Sequence, residues 1–142
     1  MANYYATART NYVTIINQDG LNQALQHFEK MTQVEQEGKT AFLAEGDSGT
    51  FPSYANWTDA EGKEHETEFS WVEHVMPYIA EGEVLVTMEA GAEKLRFIIG
   101  YAQAFVRRGD KVRKQHIDLS GIYKKAAKAF AVEQSCITVA EY

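Results

Sequence analysis

The sequence predicts an α+β fold: one domain over residues 1–142, with a mostly antiparallel sheet and about three helices packed on it. Two patterns lead there. Short runs of β-branched and aromatic residues, bounded by glycine, proline and aspartate, recur along the chain. Between them lie three stretches whose apolar residues repeat at helical spacing, giving the order β-α-β-(β)-α-β-β-β-α-β. The length is that of one ordinary domain, and 45% hydrophobic with 24% charged residues is what a folding globular chain carries.

Residues 12–16, Tyr-Val-Thr-Ile-Ile, read as the first strand and end at the turn-forming Asn17-Gln-Asp-Gly20. Asp19 is placed to cap a first helix, on which Leu21, Ala24, Leu25, Phe28 and Met31 share a face; Gly38 closes the polar stretch after it. The apolar run 40–44 is a second strand leading into Glu45-Gly-Asp-Ser-Gly-Thr50. Residues 51–57 are aromatic but interrupted by Pro52, the mark of an edge strand or an extended loop. A turn at 59–62 then starts a densely charged arm at 63–68, expected on a solvent-facing hairpin.

Ser70-Trp-Val-Glu73 is a capping box, in which hydroxyl and carboxylate satisfy free N–H groups at a helix start. Pro77 shortens or kinks that helix and Gly82 ends it. Residues 83–89 and 94–105 form a strand pair joined through 90–93. Along the second, bulky Leu95, Phe97, Ile99, Tyr101 and Phe105 alternate with Arg96, Ile98, Gly100, Ala102 and Ala104, and the bulky face is expected under a helix. Arg107-Arg-Gly-Asp110 turns the chain into a basic strand at 111–119. A last helix, capped by Asp118 or Ser120, sets Ile122, Tyr123, Ala126, Ala127 and Phe130 on one side and Lys124, Lys125 and Lys128 on the other; 137–139 adds a short closing strand.

The net charge of −6 is unevenly spread. Residues 35–93 carry 14 acids against Lys39 and Lys63, a net of −12, whereas 94–142 carry 10 bases against four acids, a net of +6. No leader of signal-peptide type opens the chain and no run reaches the ~18 apolar residues of a membrane span, so a cytoplasmic protein without membrane contact is expected. The single cysteine, Cys136, rules out an internal disulfide and is expected to be a small buried hydrophobe.

The motifs of chemistry are weak. Gly46-Asp-Ser-Gly49 resembles the nucleophile segment of chymotrypsin-like proteases, but the chain is too short for their double barrel and no histidine stands in their upstream motif, so a plain loop is expected. His65, Glu66, Glu68 and His74 match no established metal spacing. Neither GxGxxG nor GxxxxGK[ST] occurs, and no cofactor or catalytic residue is assigned. Arg107, Arg108, Lys111, Arg113 and Lys114 cluster at one turn, yet the chain as a whole is acidic, which disfavours direct nucleic-acid binding.

Three stretches are familiar together: Ala8-Arg-Thr-Asn-Tyr12, Gly49-Thr-Phe-Pro-Ser-Tyr54, and Gly91-Ala-Glu-Lys-Leu-Arg96 running into Gly100-Tyr-Ala102. They resemble a group of small proteins carried by plasmids and prophages. That resemblance implies a setting rather than an activity: acidic proteins of mobile elements are often inhibitors of host defence, of anti-CRISPR or anti-restriction type, and some imitate DNA.

The leading expectation is therefore a non-enzymatic inhibitor or adaptor that binds a host protein handling nucleic acid. Glu64, Glu66 and Glu68 on the charged arm are the first contact residues, joined by Asp59, Glu61 and Glu73, with Tyr54 and Trp57 as aromatic anchors. Two alternatives stand beside it. One is a small-molecule-binding protein or small enzyme using the loop from Gly46 to Gly49 with Arg9 or Arg96, and the other a regulatory homo-oligomer pairing acidic with basic halves.

Overall fold

The structure is a computed structural model that describes residues 4–93 and 97–140. The chain is α+β. The described residues form eight strands, β1 (Tyr4–Thr10), β2 (Met31–Gln36), β3 (Lys39–Ala44), β4 (Tyr54–Thr58), β5 (Glu64–Glu68), β6 (Val84–Glu93), β7 (Phe97–Arg108) and β8 (Lys111–Asp118). Six of them form one antiparallel sheet in the order β2-β3-β1-β6-β7-β8, and β4 with β5 forms a separate hairpin. The helices are α1 (Gln18–Leu25), α2 (Trp71–His74) and α3 (Gly121–Phe130), with 3₁₀ turns at Met76–Tyr78 and Gln134–Cys136.

The first strand lies earlier than the sequence suggests. Tyr4–Thr10 is the strand, whereas residues 12–16 make only isolated bridges, Val13 to Thr40 and Ile15 to Ile79. The mix of alanine, threonine and tyrosine in β1 has little strand signal of its own, but the segment sits between β3 and β6 and is bonded on both edges. The first helix is capped by Asn17, whose Oδ1 accepts from the Gly20 N–H, rather than by Asp19. It ends at Leu25, so Phe28 and Met31 lie beyond it and Met31 opens β2 instead.

Half of the capping box is formed: Ser70 Oγ accepts from the Glu73 N–H at 3.2 Å, but the Ser70 N–H donates to His74 Nδ1 at 3.0 Å instead of to the Glu73 carboxylate, and α2 lasts only one turn before the 3₁₀ turn containing Pro77. The two long strands β6 and β7 run in register from Val84 opposite Val106 to Glu93 opposite Phe97. Lys94, Leu95 and Arg96 lie outside the described residues. Residues 137–139 form no strand, and Cys136 is exposed rather than buried.

One face of the sheet carries the core. Phe42 of β3, Leu85 of β6 and Phe105 of β7 meet Leu21 and Leu25 of α1, Trp71 and Val75 around α2, Met76 and Ile79 of the following turn, and Ala55 of the hairpin. Trp71 is the aromatic hub, with Phe51, Phe69 and Phe42 edge-on at 4.8, 5.0 and 5.8 Å. Arg107 ties this layer to the sheet by donating to the carbonyls of Met76 and Ile79. The expected packing of helices on the sheet holds for α1 and α2. α3 contributes nothing to this core, and none of its residues is buried.

Candidate functional site

The hairpin β4–β5 stands on the helical side of the main sheet, and strand alternation gives it two unlike faces. In register, Tyr54 lies opposite Glu68, Asn56 opposite Glu66 and Thr58 opposite Glu64, and all six are exposed. Ala55, Trp57, His65 and Thr67 point the other way, toward the body. Three carboxylates therefore line one strand at the two-residue repeat of about 6.8 Å. None of the three makes an ion pair among the described residues.

The remaining expected contact residues separate into two groups. Glu61 and Glu73 are exposed, at the hairpin tip and on α2. Asp59 instead organises the turn: Oδ1 accepts from the Glu61 and Lys63 N–H groups and Oδ2 bonds His65 Nε2 at 2.7 Å. The His65 bond and then the Lys63 N–H hold its carboxyl below the usual value. That contribution to the turn is present above the ordinary aspartate range and lost as pH falls through the lowered value.

Trp57 is not a free anchor. Its indole is sandwiched between His27 at 4.2 Å and His65 at 4.3 Å, and its Nε1 donates to Thr67 Oγ1. Both ring faces are occupied, so the side chain fastens the hairpin to the body. Tyr54, 59% exposed beside Glu68, remains as the one aromatic on the acidic face. Asn56 and Thr58 complete that face and were not singled out from the sequence, although the same alternation that selects the glutamates selects them.

The acids further along do not join this surface. Glu83 accepts from the Thr14 N–H and hydroxyl and pairs with Lys39 at 3.4 Å; burial opposes its charge, but these bonds outweigh it and lower its pKa. Glu81 bonds the Gly109 N–H. Glu89, half-buried on the main sheet, accepts from the hydroxyls of Tyr4 and Tyr101. Burial raises the Glu89 pKa in spite of those bonds.

Burial first, and the neighbouring Glu89 carboxylate second, push Tyr101 up to about 12 from an ordinary value of 10.0. The stability linked to this phenol is complete below pH 10.0 and lost as pH rises through about 12. An alkaline absorbance titration of the eight tyrosines is expected to show a late component near 12, moved down toward 10.0 in Glu89→Gln. A single transition near 10.0 in the wild type would contradict this triad.

The loop from Gly46 to Gly49 is stitched to β1. Ser48 O accepts from the Ala6 N–H at 2.9 Å, and Gly49, at φ +65°, lies so close to the strand that a Cβ there would stand 1.7 Å from Ala6 O. Arg9 does not converge on it: its Nε donates to Thr10 O and its guanidinium lies over the Tyr12 ring. Arg96 lies outside the described residues. His74 Nδ1 is engaged with the Ser70 backbone, and among the described residues no three metal-ligating side chains are grouped.

No protein-family model matches the chain, and no curated protein or solved structure matches it. Among the described residues no helix is long and apolar enough to cross a membrane.

Proposed function

We propose that the chain is a non-enzymatic binding protein whose hairpin presses an acidic face against a basic surface of a host protein that handles nucleic acid, in the manner of an inhibitor of defence complexes. The observation that supports this reading is the row Glu64, Glu66 and Glu68, co-facial, exposed and without cationic partners among the described residues. Carboxylates so placed repel one another, and a cationic groove relieves that repulsion as it docks. Tyr54 at the end of the row supplies the apolar contact that charge alone lacks.

The test is affinity capture from a host lysate with the wild type and with Glu64→Lys/Glu66→Lys/Glu68→Lys. The wild type is expected to retain a nucleic-acid-binding protein, release it as salt rises, and block that protein's nucleic-acid binding. The triple variant, folded by circular dichroism, is expected to lose both effects by at least about a hundredfold, since each buried charge contact at such an interface carries on the order of 1.5 kcal/mol or more. Equal capture and equal inhibition by the triple variant would refute the proposal.

A further inference from the structure

Among the described residues, α1 and α2 lie on the core side of the main sheet, and the second face is only bordered by α3. Met88 of β6, Ile98 of β7 and Ile117 of β8 stand there 58%, 69% and 69% exposed. Between them Ala90, Gly100 and Ala102 form a floor of small residues under an apolar groove of ≈ 490 Å³. Leu119, itself 55% exposed, lies over Gly100, where a Cβ would meet its Cδ1 at 2.8 Å. A sheet face that meets water is ordinarily polar, so this stretch departs from the pattern of a solvated face.

The helix that could have covered it does not. α3 is amphipathic and begins beside the groove, just after Leu119, yet Ile122 and Phe130 are 60% and 74% exposed. A helix of ten residues is marginal by itself in water and draws its stability from packing. The chain thus holds an open apolar groove and an uncovered apolar helix face side by side.

We propose that this surface is a homodimer interface, in which a second copy, related by a two-fold axis, covers the groove and α3 of the first. An isologous contact satisfies both features of both copies at once. The scale fits. Met88, Ile98, Ile117, Leu119, Ile122 and Phe130, about 100 Å² each and exposed by nearly two thirds on average, offer roughly 400 Å² of apolar surface per copy; at the ~65% apolar share of homodimer interfaces this implies about 1,200 Å² buried in total, the lower bound of stable association. A bilayer is the poorer occupant, since a concave groove bounded by strands cannot enter lipid as a protruding helix does. The acidic hairpin lies on the other side of the sheet and stays free, so the dimer would display it twice.

The experiment is light scattering on the full chain at about 100 μM in low and high salt. The wild type is expected at twice 16.0 kDa in both, because apolar contacts do not weaken with salt. Ile117→Asp is expected to give monomer with an unchanged circular dichroism spectrum. Phe130→Asp, on the exposed helix face, gives the same answer if Ile117→Asp fails to fold. A monomeric wild type, a dimer that survives both substitutions, or a dimer that dissociates as salt rises would overturn the proposal. So would a monomer that binds vesicles of phosphatidylserine and phosphatidylcholine. The lysine variant of the hairpin is expected to dimerise normally, which separates this outcome from the proposed partner binding.

Discussion

Replacing Phe42 with alanine is expected to destabilise the protein by about 4 kcal/mol, a large share of the roughly 5–15 kcal/mol that holds a domain of this size together. Phe42 is fully buried on the sheet's covered face. Its ring meets Trp71 edge-on, and its backbone N–H donates to Thr10 Oγ1 at 2.8 Å, so β3, β1 and α2 converge on it. Removing the ring leaves a cavity between a rigid sheet and a short helix whose 3₁₀ extension is held by Arg107. In urea the midpoint is expected to fall by about 2 M, taking a slope of about 2 kcal/mol per molar. A shift below about 0.5 M would mean that Phe42 does not occupy this position.

Gly49→Ala is the second large effect, and it also decides what the glycine-rich loop is for. Two costs act together. The left-handed backbone at φ +65° penalises any side chain by about 1–2 kcal/mol, and the added Cβ would collide with the Ala6 carbonyl. Gly62 is the control: it too has positive φ, +83°, but nothing lies within 4 Å of its absent Cβ. Gly62→Ala is expected to cost about 1 kcal/mol and Gly49→Ala about 3 kcal/mol or more by the same thermal or urea measurement. The difference isolates the contact with β1. Equal costs for the two would show that the loop is not seated against the strand.

What could be read from the sequence was local. The Ser70 cap of α2, the turn at residues 59–62 and the strand pair through Gly109 each depend on residues a few positions apart, and each is found. The charged arm was legible for the same reason, because alternation puts Glu64, Glu66 and Glu68 on one face whatever the fold around them. β1 was not legible: alanines and threonines become a central strand only through partners in β3 and β6. Met31–Gln36 was hidden likewise, its strand defined by pairing with β3 across the tight turn at Glu37 and Gly38. Trp57 looked like an anchor because nothing nearby in sequence shows that His27 will stack on it.

The charge map illustrates the same limit. Fourteen acids stand between residues 35 and 93 in the sequence, but Glu81, Glu83 and Glu89 are drawn to separate hydrogen-bond partners. The acidic surface is smaller than composition implies and correspondingly better defined.

The strand order carries one more consequence. β1 lies at the middle of the sheet, between β3 and β6, so Arg9 faces Met88 and Tyr4 faces Glu93. During translation, which proceeds from the N-terminus, the earliest strand must therefore stay open along one edge until most of the nascent chain has left the ribosome. The β6–β7–β8 meander can zip up within itself through short connections, but it adds β1 only by closing a long loop, the slow kind of step in folding.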